Sequence, residues 1–379
     1  MSELSYMEKL LDGVEIEWRE LGSALVRTKG TNITARRMKT LHKEYAPLKI
    51  FAGGRTVAFV DFKDIPEKDI NRKPSIIVKS RGVIGFEYYA KPFSHKNEMW
   101  SYHSTNKDIN IEYVYYYLKT KESYFQGLAS RMQMPQISTP DTDKLPIPIP
   151  PIRIQNEIVR ILDTFTELTA ELTAELTARQ QQYAYYRKQL LTFENIEVKW
   201  SALEDVVKLQ RGKRLIKSQL EMSGDYAVYQ NSMKPLGYYH ESNVKSDTTF
   251  IISAGAAGEV GYSDVDFWAA DDVYFLLTPD NINSKFLYYY LLTQQYKILA
   301  QVRRASIPRL SRTVIERMQI PIPPLAEQKR IVSTLDKFDA LTTSLTEGLP
   351  REIELRQQQY EYYRDLLLSF PKPEVVDND

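Results

Sequence analysis

Residues 147–165 read Ile-Pro-Ile-Pro-Pro-Ile-Arg-Ile-Gln-Asn-Glu-Ile-Val-Arg-Ile-Leu-Asp-Thr-Phe, and residues 320–338 read Ile-Pro-Ile-Pro-Pro-Leu-Ala-Glu-Gln-Lys-Arg-Ile-Val-Ser-Thr-Leu-Asp-Lys-Phe. The second stretch repeats the first at an offset of 173 residues. Further matches are Tyr115-Tyr-Tyr-Leu118 with Tyr288-Tyr-Tyr-Leu291, Pro135 with Pro308, and Arg179-Gln-Gln-Gln-Tyr183 with Arg356-Gln-Gln-Gln-Tyr360. A period of about 175 residues is too long for a solenoid repeat. The chain of 379 residues is therefore one large unit that occurs twice.

The segments between the repeated stretches combine short β-rich runs, Gly turns and a helical stretch around each Tyr cluster. Residues 75–79 and 249–252 are typical of buried strands. We interpret each segment as a globular α+β domain, and expect two such domains separated by two long, antiparallel, coiled-coil-like helices related by a pseudo-twofold axis. The predicted divisions are an N-terminal segment 1–15, domain one 16–146, a central helical spacer 147–193, domain two 194–319, a distal helical spacer 320–370 and a tail 371–379.

Two long helices are predicted after the Pro-Pro pairs at 150–151 and 323–324, since proline suits the start of a helix. No Gly or Pro interrupts residues 155–193, which predicts a rod of about 58 Å. The second helix should run over 328–370, with a break near Gly348 and Pro350. Apolar residues at three- and four-residue spacing form a seam that should pair the two helices with each other. These residues are Ile158, Phe165, Leu168, Leu172 and Leu176, then Ile331, Phe338 and Leu341.

A tandem repeat of Thr, Ala, Glu and Leu occupies residues 166–178 of the first helix. Its leucines recur every four residues, close to the helical period of about 3.6. An added repeat would keep the apolar stripe near its own face while lengthening the helix. We therefore predict that the tract is a ruler that sets the separation of the two domains. The alternative is a solvated repeat without a geometric role.

Composition excludes several classes of protein. With 43% hydrophobic and 26% charged residues the chain is globular, and the lack of Cys excludes disulfides, thiolate metal sites and a Cys nucleophile. The 4 His residues include no pair at zinc-ligand spacing. Because neither an apolar run of membrane-spanning length nor a basic-apolar leader occurs, we expect a cytoplasmic protein with no membrane partner.

The near-neutral total charge hides an uneven distribution. Residues 16–146 carry 22 Lys and Arg against 14 Asp and Glu, a net charge of +8, whereas residues 194–319 carry 15 of each. Basic clusters lie at matching places in both copies, near Tyr, Asn, Gln and Ser, which suits phosphate contacts combined with readout of base edges. The alternative is solvated surface charge. The candidate DNA-binding residues are Lys29, Arg36, Arg37, Lys39 and Arg131 in the first copy, and Arg211, Lys213, Arg214, Lys217, Arg303, Arg304, Arg309 and Arg312 in the second.

Motifs for catalysis are mostly missing. The chain has no P-loop and no Asn-Pro-Pro-Tyr run of a base-flipping methyltransferase. The Gly-rich run 254–262 leads into Tyr-Ser-Asp rather than a helix, so with its shorter counterpart 80–85 it is predicted to be a turn between strands. The carboxylates of Asp264, Asp266, Asp271 and Asp272 could ligate a cation but fit exposed loop acids better. The Tyr clusters fit core packing better than base stacking.

Several motifs together resemble the specificity subunit of type I restriction-modification enzymes, over essentially the full length. These motifs are Ser306-Ile-Pro-Arg-Leu-Ser311, the stretch 320–332, Gly258-Glu-Val-Gly-Tyr262, its relative Ser80-Arg-Gly-Val-Ile-Gly85, and the duplication itself. The Thr-Ala-Glu-Leu tract resembles one subclass of that family.

This resemblance implies that each globular domain is a target-recognition domain reading one half of a split, asymmetric double-stranded DNA sequence. It also implies that the long helices space the domains and, through the residues of their apolar seam, dock two modification subunits. Restriction (motor) subunits join them in the full complex. The chain would then be non-catalytic and bind no cofactor, with S-adenosylmethionine, Mg and ATP on the partners. The alternatives are a stand-alone methyltransferase or nuclease, and a purely structural coiled-coil adaptor.

Overall fold

The structure, a computed structural model, describes residues 13–54, 56–129, 135–193, 198–221, 223–344 and 347–371. It divides into two compact units. The first contains the chain up to Glu171 and again from Glu354, and the second contains Leu172–Ile353. Each unit thus combines one globular domain with parts of both long helical segments, a grouping that differs from the divisions drawn on the sequence.

The first unit contains a four-stranded sheet of order β2-β8-β5-β6, a three-stranded sheet β4-β3-β7 and a two-stranded ribbon β1-β9. All pairs are antiparallel except β3 with β7. The strands are β1 (Glu17–Glu20), β2 (Val26–Lys29), β3 (Leu48–Phe51), β4 (Val57–Val60), β5 (Ser75–Lys79), β6 (Gly85–Tyr89), β7 (Phe93–His95), β8 (Trp100–His103) and β9 (Pro146–Ile149). The helices are α1 (Leu21–Ala24), α2 (Ala35–Leu41), α3 (Ile111–Thr120), α4 (Glu122–Ala129) and α5 (Thr139–Asp143), with 3-10 turns at Phe62–Asp64 and Glu67–Asp69.

The second unit repeats this topology strand for strand. Its sheets have the orders β11-β17-β14-β15, β13-β12-β16 and β10-β18, and again one pair, β12 with β16, is parallel. The strands are β10 (Lys199–Ala202), β11 (Lys208–Arg211), β12 (Tyr226–Tyr229), β13 (Gly237–Tyr239), β14 (Thr248–Ile252), β15 (Val260–Ser263), β16 (Trp268–Ala269), β17 (Val273–Leu277) and β18 (Gln319–Ile322). After the first long helix, α6 (Ile152–Leu190), four shorter helices follow in the chain with a 3-10 turn at Lys217–Gln219. They are α7 (Leu203–Val206), α8 (Ser284–Thr293), α9 (Gln295–Ala300) and α10 (Arg312–Glu316). The predicted duplicated α+β architecture is confirmed.

Each unit has a core in which a helix rich in tyrosine packs on the four-stranded sheet. Tyr116 and Tyr117 of α3 are buried in the first unit, and Tyr289 and Tyr290 of α8 in the second. Asn110 and Asn283 cap these helices by accepting backbone N–H groups, which satisfies donors that the first turn leaves free. The predicted role of the Tyr clusters in core packing is confirmed.

The first long helix, α6 (Ile152–Leu190), has 39 residues without interruption. Inside the first unit its early residues Ile154 and Ile158 share a core with Leu368 and Phe370, which follow the last long helix. Further along α6, Phe165 stacks on Tyr363 of that helix at 5.3 Å between ring centroids. Since the start of one helix lies beside the end of the other, the two run antiparallel in this unit, as predicted.

The second helical segment is broken where the sequence predicted. It consists of α11 (Leu325–Thr343) and α12 (Gly348–Leu367). Gly348 has a φ of +79°, and a Cβ there would lie 2.4 Å from the carbonyl oxygen of Ala340. Pro350 falls in the first turn of α12, where its missing N–H costs no hydrogen bond. A glycine is therefore required at the break, and the proline helps the chain to start a new helix.

Buried polar contacts fasten each globular domain to its long helix. The hydroxyl of Tyr116 donates to Asp163 of α6 at 2.5 Å, and that of Tyr289 donates to Asp336 of α11 at 2.6 Å. Burial, together with these carboxylates, raises the pKa of both tyrosines above the usual range. Both hydroxyls are therefore protonated at neutral pH and act as hydrogen-bond donors.

Candidate nucleic-acid interface

Five loops meet at one end of the four-stranded sheet of the first unit. The amide of Thr31 donates to His95 O at 2.7 Å, and that of Gly54 donates to Arg81 O at 3.3 Å. The amide of Ile137 donates to Ser80 O at 2.9 Å, and the Ser80 hydroxyl donates to Glu98 O. We call this surface the first loop face. Its loops are 30–32, 52–54, 80–82, 96–98 and 135–137.

The second unit builds the same surface from the equivalent loops. The amide of Lys213 donates to Ala269 O and that of Ala256 to Asn231 O, both at 2.9 Å. The Ser253 hydroxyl donates to Asp272 O at 2.9 Å, as that of Ser80 does to Glu98 O in the first unit. We call this surface the second loop face. Its loops are 212–214, 229–231, 253–256, 269–272 and 303–310.

One glycine fixes the close approach of backbones in each face. A Cβ on Gly30 would lie 2.4 Å from the carbonyl oxygens of His95 and Lys96, and a Cβ on Gly212 would lie 2.1 Å from Ala270 O. Only glycine permits this approach. The residue before each glycine, Lys29 or Arg211, therefore emerges at the edge of the face.

In the first unit the four candidate basic residues that the structure describes are exposed. Lys29 ends β2, and Arg36, Arg37 and Lys39 lie on α2, which begins three residues beyond the loop 30–32. The Thr34 side chain caps α2 by accepting the amide of Arg37 at 3.2 Å. The loop face and the first turn of α2 are thus adjacent in the chain. Arg131, also predicted as a contact, lies outside the described residues.

In the second unit the candidates gather more closely around the face. Arg211 donates from Nε to Asp271 O at 2.6 Å, which places its guanidinium at the loop 269–272. Arg303 and Arg309 pair through two backbone hydrogen bonds of 2.9 and 3.1 Å, with Arg304 exposed in the loop that they close. Lys213, Arg214 and Lys217 are exposed along the segment that leaves β11.

Arg312 differs from the other candidates. Its Nε donates to Glu316 at 2.6 Å, and this hydrogen bond raises the pKa of the guanidinium. It also donates to the carbonyl of Leu209 at 3.3 Å. Among the twelve candidates that the structure describes, Arg312 alone has a carboxylate partner within ion-pair distance. Its guanidinium is therefore engaged by Glu316 within α10 and by Leu209 of β11, which leaves it less free to contact a ligand than the other candidates.

Two residues of the first face were not among the sequence-based candidates. Arg81 lies in the turn 80–85, which the sequence predicts only as a structural turn between strands, and it donates to the side-chain oxygen of Gln136 at 3.1 Å. The signal was present in the repeat, because Gln136 and Arg309 occupy the same position of the two copies. An arginine in a loop of one copy makes the aligned loop of the other copy a candidate for the same role.

The predicted helix contacts need one correction. Ile158 and Ile331 are both 0% exposed, since they pack into the core of their own unit, and so neither can touch a partner protein. Phe165 stacks on Tyr363, and Phe338 stacks on Tyr183 and Tyr186. The four remaining positions are half-buried, and they are Leu168, Leu172, Leu176 and Leu341.

The Gly-rich runs are turns, as predicted. Gly255 and Gly258, with φ of +81° and +91°, lie between β14 and β15, and Gly82, with φ of +78°, lies between β5 and β6. Of the nearby carboxylates, Asp266 accepts from Lys245 at 2.8 Å, which lowers its pKa. In the described ranges no three His, Asp or Glu side chains are grouped so as to hold a metal ion.

Known proteins are similar in sequence to this chain over essentially its whole length. The family model described as "Type I restriction modification DNA specificity domain" matches residues 33–179 and 195–355. The chain is 37% identical to the EcoR124I/EcoR124II specificity subunit of Escherichia coli, with 100% of both chains covered. It is 31% identical to a putative type I specificity subunit of Haemophilus influenzae, over 97% of this chain and 98% of the relative.

A solved structure shares the fold. The S subunit of a type I restriction-modification system from M. genitalium superposes with a TM-score of 0.67, covering 95% of this chain and 98% of its own, at 19% sequence identity. Among the described helices of the present chain, none is both long and apolar enough to cross a bilayer.

Proposed function

Since this chain belongs to the family of type I restriction-modification DNA specificity subunits, we propose that it selects the DNA sequence on which a multi-subunit modification and restriction complex acts. The two loop faces carry this proposal. They are built on the same backbone scaffold but present different side chains. The target is therefore double-stranded, bipartite and asymmetric, and each unit reads one half of it.

The charge of the loop faces supports DNA as the ligand. Lys96 of the first face pairs with Glu98 at 2.6 Å. The exposed candidate Lys and Arg residues in and beside the two faces, apart from Arg312, have no carboxylate within ion-pair distance among the described residues. Arginine and lysine side chains without a carboxylate partner can contact phosphates and base edges of DNA, and such contacts release counterions. The first domain carries the larger excess of positive charge, so phosphate contacts contribute more there.

The long helices support a scaffolding role. Tyr185 on α6 and Tyr362 on α12 occupy equivalent positions of the repeat and are 58% and 54% exposed. Exposed aromatic side chains at equivalent positions suit two copies of one partner. We assign these partners as two modification subunits, with the restriction subunits joining them. S-adenosylmethionine, Mg and ATP then belong to the partner subunits, and the complex acts in the cytoplasm.

Two other functions make different predictions. A stand-alone methyltransferase or nuclease would modify or cut DNA as a purified chain, whereas a specificity subunit transfers no methyl group without its partners. A purely structural adaptor would hold no duplex DNA at 150 mM salt, an ionic strength at which purely electrostatic binding has weakened greatly. Assaying the purified chain for both properties separates the three functions.

The decisive experiment maps methylation. Cells that express this chain with its modification subunits are analysed by single-molecule sequencing of adenine methylation. We expect one interrupted sequence with two unlike halves. Exchange of residues 16–146 for the corresponding domain of a relative should change one half only. A change in both halves would contradict independent reading by the two units.

A further inference from the structure

Arg81 and Gln136 lie directly opposite each other in the first loop face. They form an isolated antiparallel bridge, and their side chains meet at 3.1 Å. Residues directly opposite in an antiparallel pair point to the same side. The bridge is held on both flanks, because the amides of Gly82 and Ile137 donate to Pro135 O and Ser80 O, each at 2.9 Å.

The second loop face contains the same bridge with different residues. Ala254 and Arg309 pair antiparallel, and the amides of Gly255 and Leu310 donate to Pro308 O and Ser253 O at 3.1 and 2.8 Å. Every one of these residues is displaced by 173 from its counterpart in the first unit. Each bridge therefore holds one arginine, supplied by the inter-strand turn in the first unit and by the later segment in the second.

The folding of the units does not explain these arginines. Both side chains are exposed, and neither Arg81 nor Arg309 has a carboxylate partner among the described residues. Their backbones, in contrast, are fixed by a bridge that includes a glycine with positive φ, at Gly82 or Gly255. A rigid backbone that carries an unneutralised guanidinium is an arrangement suited to a ligand.

The chemistry of the pair indicates which ligand. A guanidinium presents parallel N–H groups that match O6 and N7 of guanine in the major groove. Gln136 accepts from one terminal nitrogen of Arg81 and so restrains the plane of the guanidinium, while its own amide remains a donor. We propose that Arg81, oriented by Gln136, reads a guanine in one half-site, and that Arg309 reads a guanine in the other. This inference rests on the proposed function in DNA recognition.

The test uses the full chain in complex with its modification subunits. Methylated sites are mapped by single-molecule sequencing for the wild type, Arg81→Ala, Arg81→Lys, Arg309→Ala and Arg309→Lys. The matched control is Arg19→Ala, because Arg19 is a half-buried arginine that is engaged by Glu17 and lies in the ribbon β1-β9, outside the loops of the first loop face. Thermal unfolding of each variant shows that the fold is retained; if an alanine variant does not fold, the lysine variant carries the test.

We expect discrimination at one guanine of one half-site to fall about ten- to a hundredfold in both Arg81 variants, with the other half unchanged. The Arg309 variants should lower discrimination at a guanine of the other half-site and leave the first half unchanged. Arg19→Ala should keep the wild-type target. Lysine should discriminate less, because its ammonium lacks the planar, parallel pair of N–H groups that the guanidinium presents. If Arg81→Lys keeps the wild-type target while Arg81→Ala weakens all sites alike, Arg81 is a phosphate contact and the proposal is overturned.

An unchanged target in Arg81→Ala also overturns it. Failure of the broader function has a different signature, because a wild-type complex that methylates no defined sequence would refute the DNA-specificity role itself.

Discussion

The side-chain oxygen of Gln155 accepts a hydrogen bond from the backbone amide of Asn110 at 2.8 Å, and this bond ties the start of α3 to the first turns of α6. The Gln155 amide also donates to Asp108 O and Pro150 O, at 2.9 and 2.6 Å. Gln328 makes the equivalent bond to Asn283, again at 2.8 Å. Each glutamine is fully buried and joins a recognition domain to a long helix.

Replacing Gln155 by Leu should therefore destabilise the first unit. The change leaves one donor and two acceptors without that partner, of which Pro150 O is buried and the other two are partly buried. An unsatisfied buried group costs about 1–3 kcal/mol. We expect the free energy of unfolding in urea to fall by about 3 kcal/mol or more. Gln180→Leu, at an exposed position of the same helix, is the control and should change it by less than about 0.5 kcal/mol. Equal effects of the two substitutions would contradict the role of this joint.

His95 should make the stability of the first unit depend on pH. Burial lowers its pKa from 6.5 to about 4. Below pH 6.5 His95 is protonated in the unfolded chain, whereas in the folded chain it becomes protonated only near pH 4. The stability of the folded state therefore falls as the pH falls from 6.5 to 4. Between pH 7 and pH 5 the loss should be about 2 kcal/mol. Urea unfolding of His95→Gln at both values should lack this part of the pH dependence, while a slope equal to that of the wild type would show that His95 is not its source.

Gly30→Ala should disrupt the first loop face. The new Cβ would lie 2.4 Å from two backbone carbonyl oxygens, which cannot move aside as a flexible side chain could. We expect the free energy of unfolding to fall by several kcal/mol if the loops keep their positions, and by about 2 kcal/mol or more if they shift. Recognition of one half-site should be impaired. Gly127→Ala on α4 is the control, since its Cβ would meet nothing within 4 Å and alanine should stabilise the helix by up to about 1 kcal/mol. Differential scanning calorimetry and methylation mapping together distinguish the two variants.

Arg303 and Arg312 should differ in their effect on DNA binding. Arg303 has no carboxylate partner among the described residues, whereas Arg312 is engaged by Glu316 at 2.6 Å. Arg303→Ala should weaken binding and lower the slope of log Kd against log salt by about 1, as expected for one lost phosphate contact. Arg312→Ala should leave the slope nearly unchanged. Equal slopes for both variants, measured by fluorescence anisotropy from 50 to 200 mM salt, would return Arg303 to ordinary solvated charge.

The architecture could be predicted from the sequence because it is reflected in repeated stretches and in local residue patterns. The repeated stretches, the uninterrupted run that became α6 and the Gly348–Pro350 break are all written in local residue patterns. Periodicity shows only that a position is buried, and not what covers it. For this reason Ile158 and Ile331 were assigned to a partner surface although their own domains bury them.

The loop faces were harder to predict, because they bring together loops that are far apart in the chain. Lys29 and Arg211 can be predicted from the basic clusters around them, but Arg81 has only Lys79 as a basic neighbour within five residues. Its place in the loop face is evident only from the structure, in which it forms a bridge with Gln136. Comparison of each loop position between the two copies is the signal that would have found it.

The Thr-Ala-Glu-Leu tract should act as a ruler, for which the structure of α6 provides the physical basis. The tract is helical throughout, and Leu168, Leu172 and Leu176 have the same half-buried character. The hydroxyls of Thr169 and Thr177 donate to the carbonyls four residues earlier, at 2.8 and 3.0 Å, so threonine is satisfied within the helix. One further repeat would meet the same environment. It would lengthen the helix by about 6 Å and turn the apolar stripe by about 40°.

Inserting one Thr-Ala-Glu-Leu unit after Leu176 should therefore widen the gap between the half-sites while leaving both half-sites unchanged. Since each base pair rises about 3.4 Å along the duplex, the added length corresponds to one or two base pairs. We expect one, because repacking of the helices absorbs part of the shift. The control is insertion of a single Ala at the same place, which turns everything beyond it by about 100° and should abolish methylation. Mapping methylated adenines in cells tests both variants: an unchanged gap would mean that the tract has no geometric role, and altered half-sites would mean that the recognition domains themselves had been disturbed.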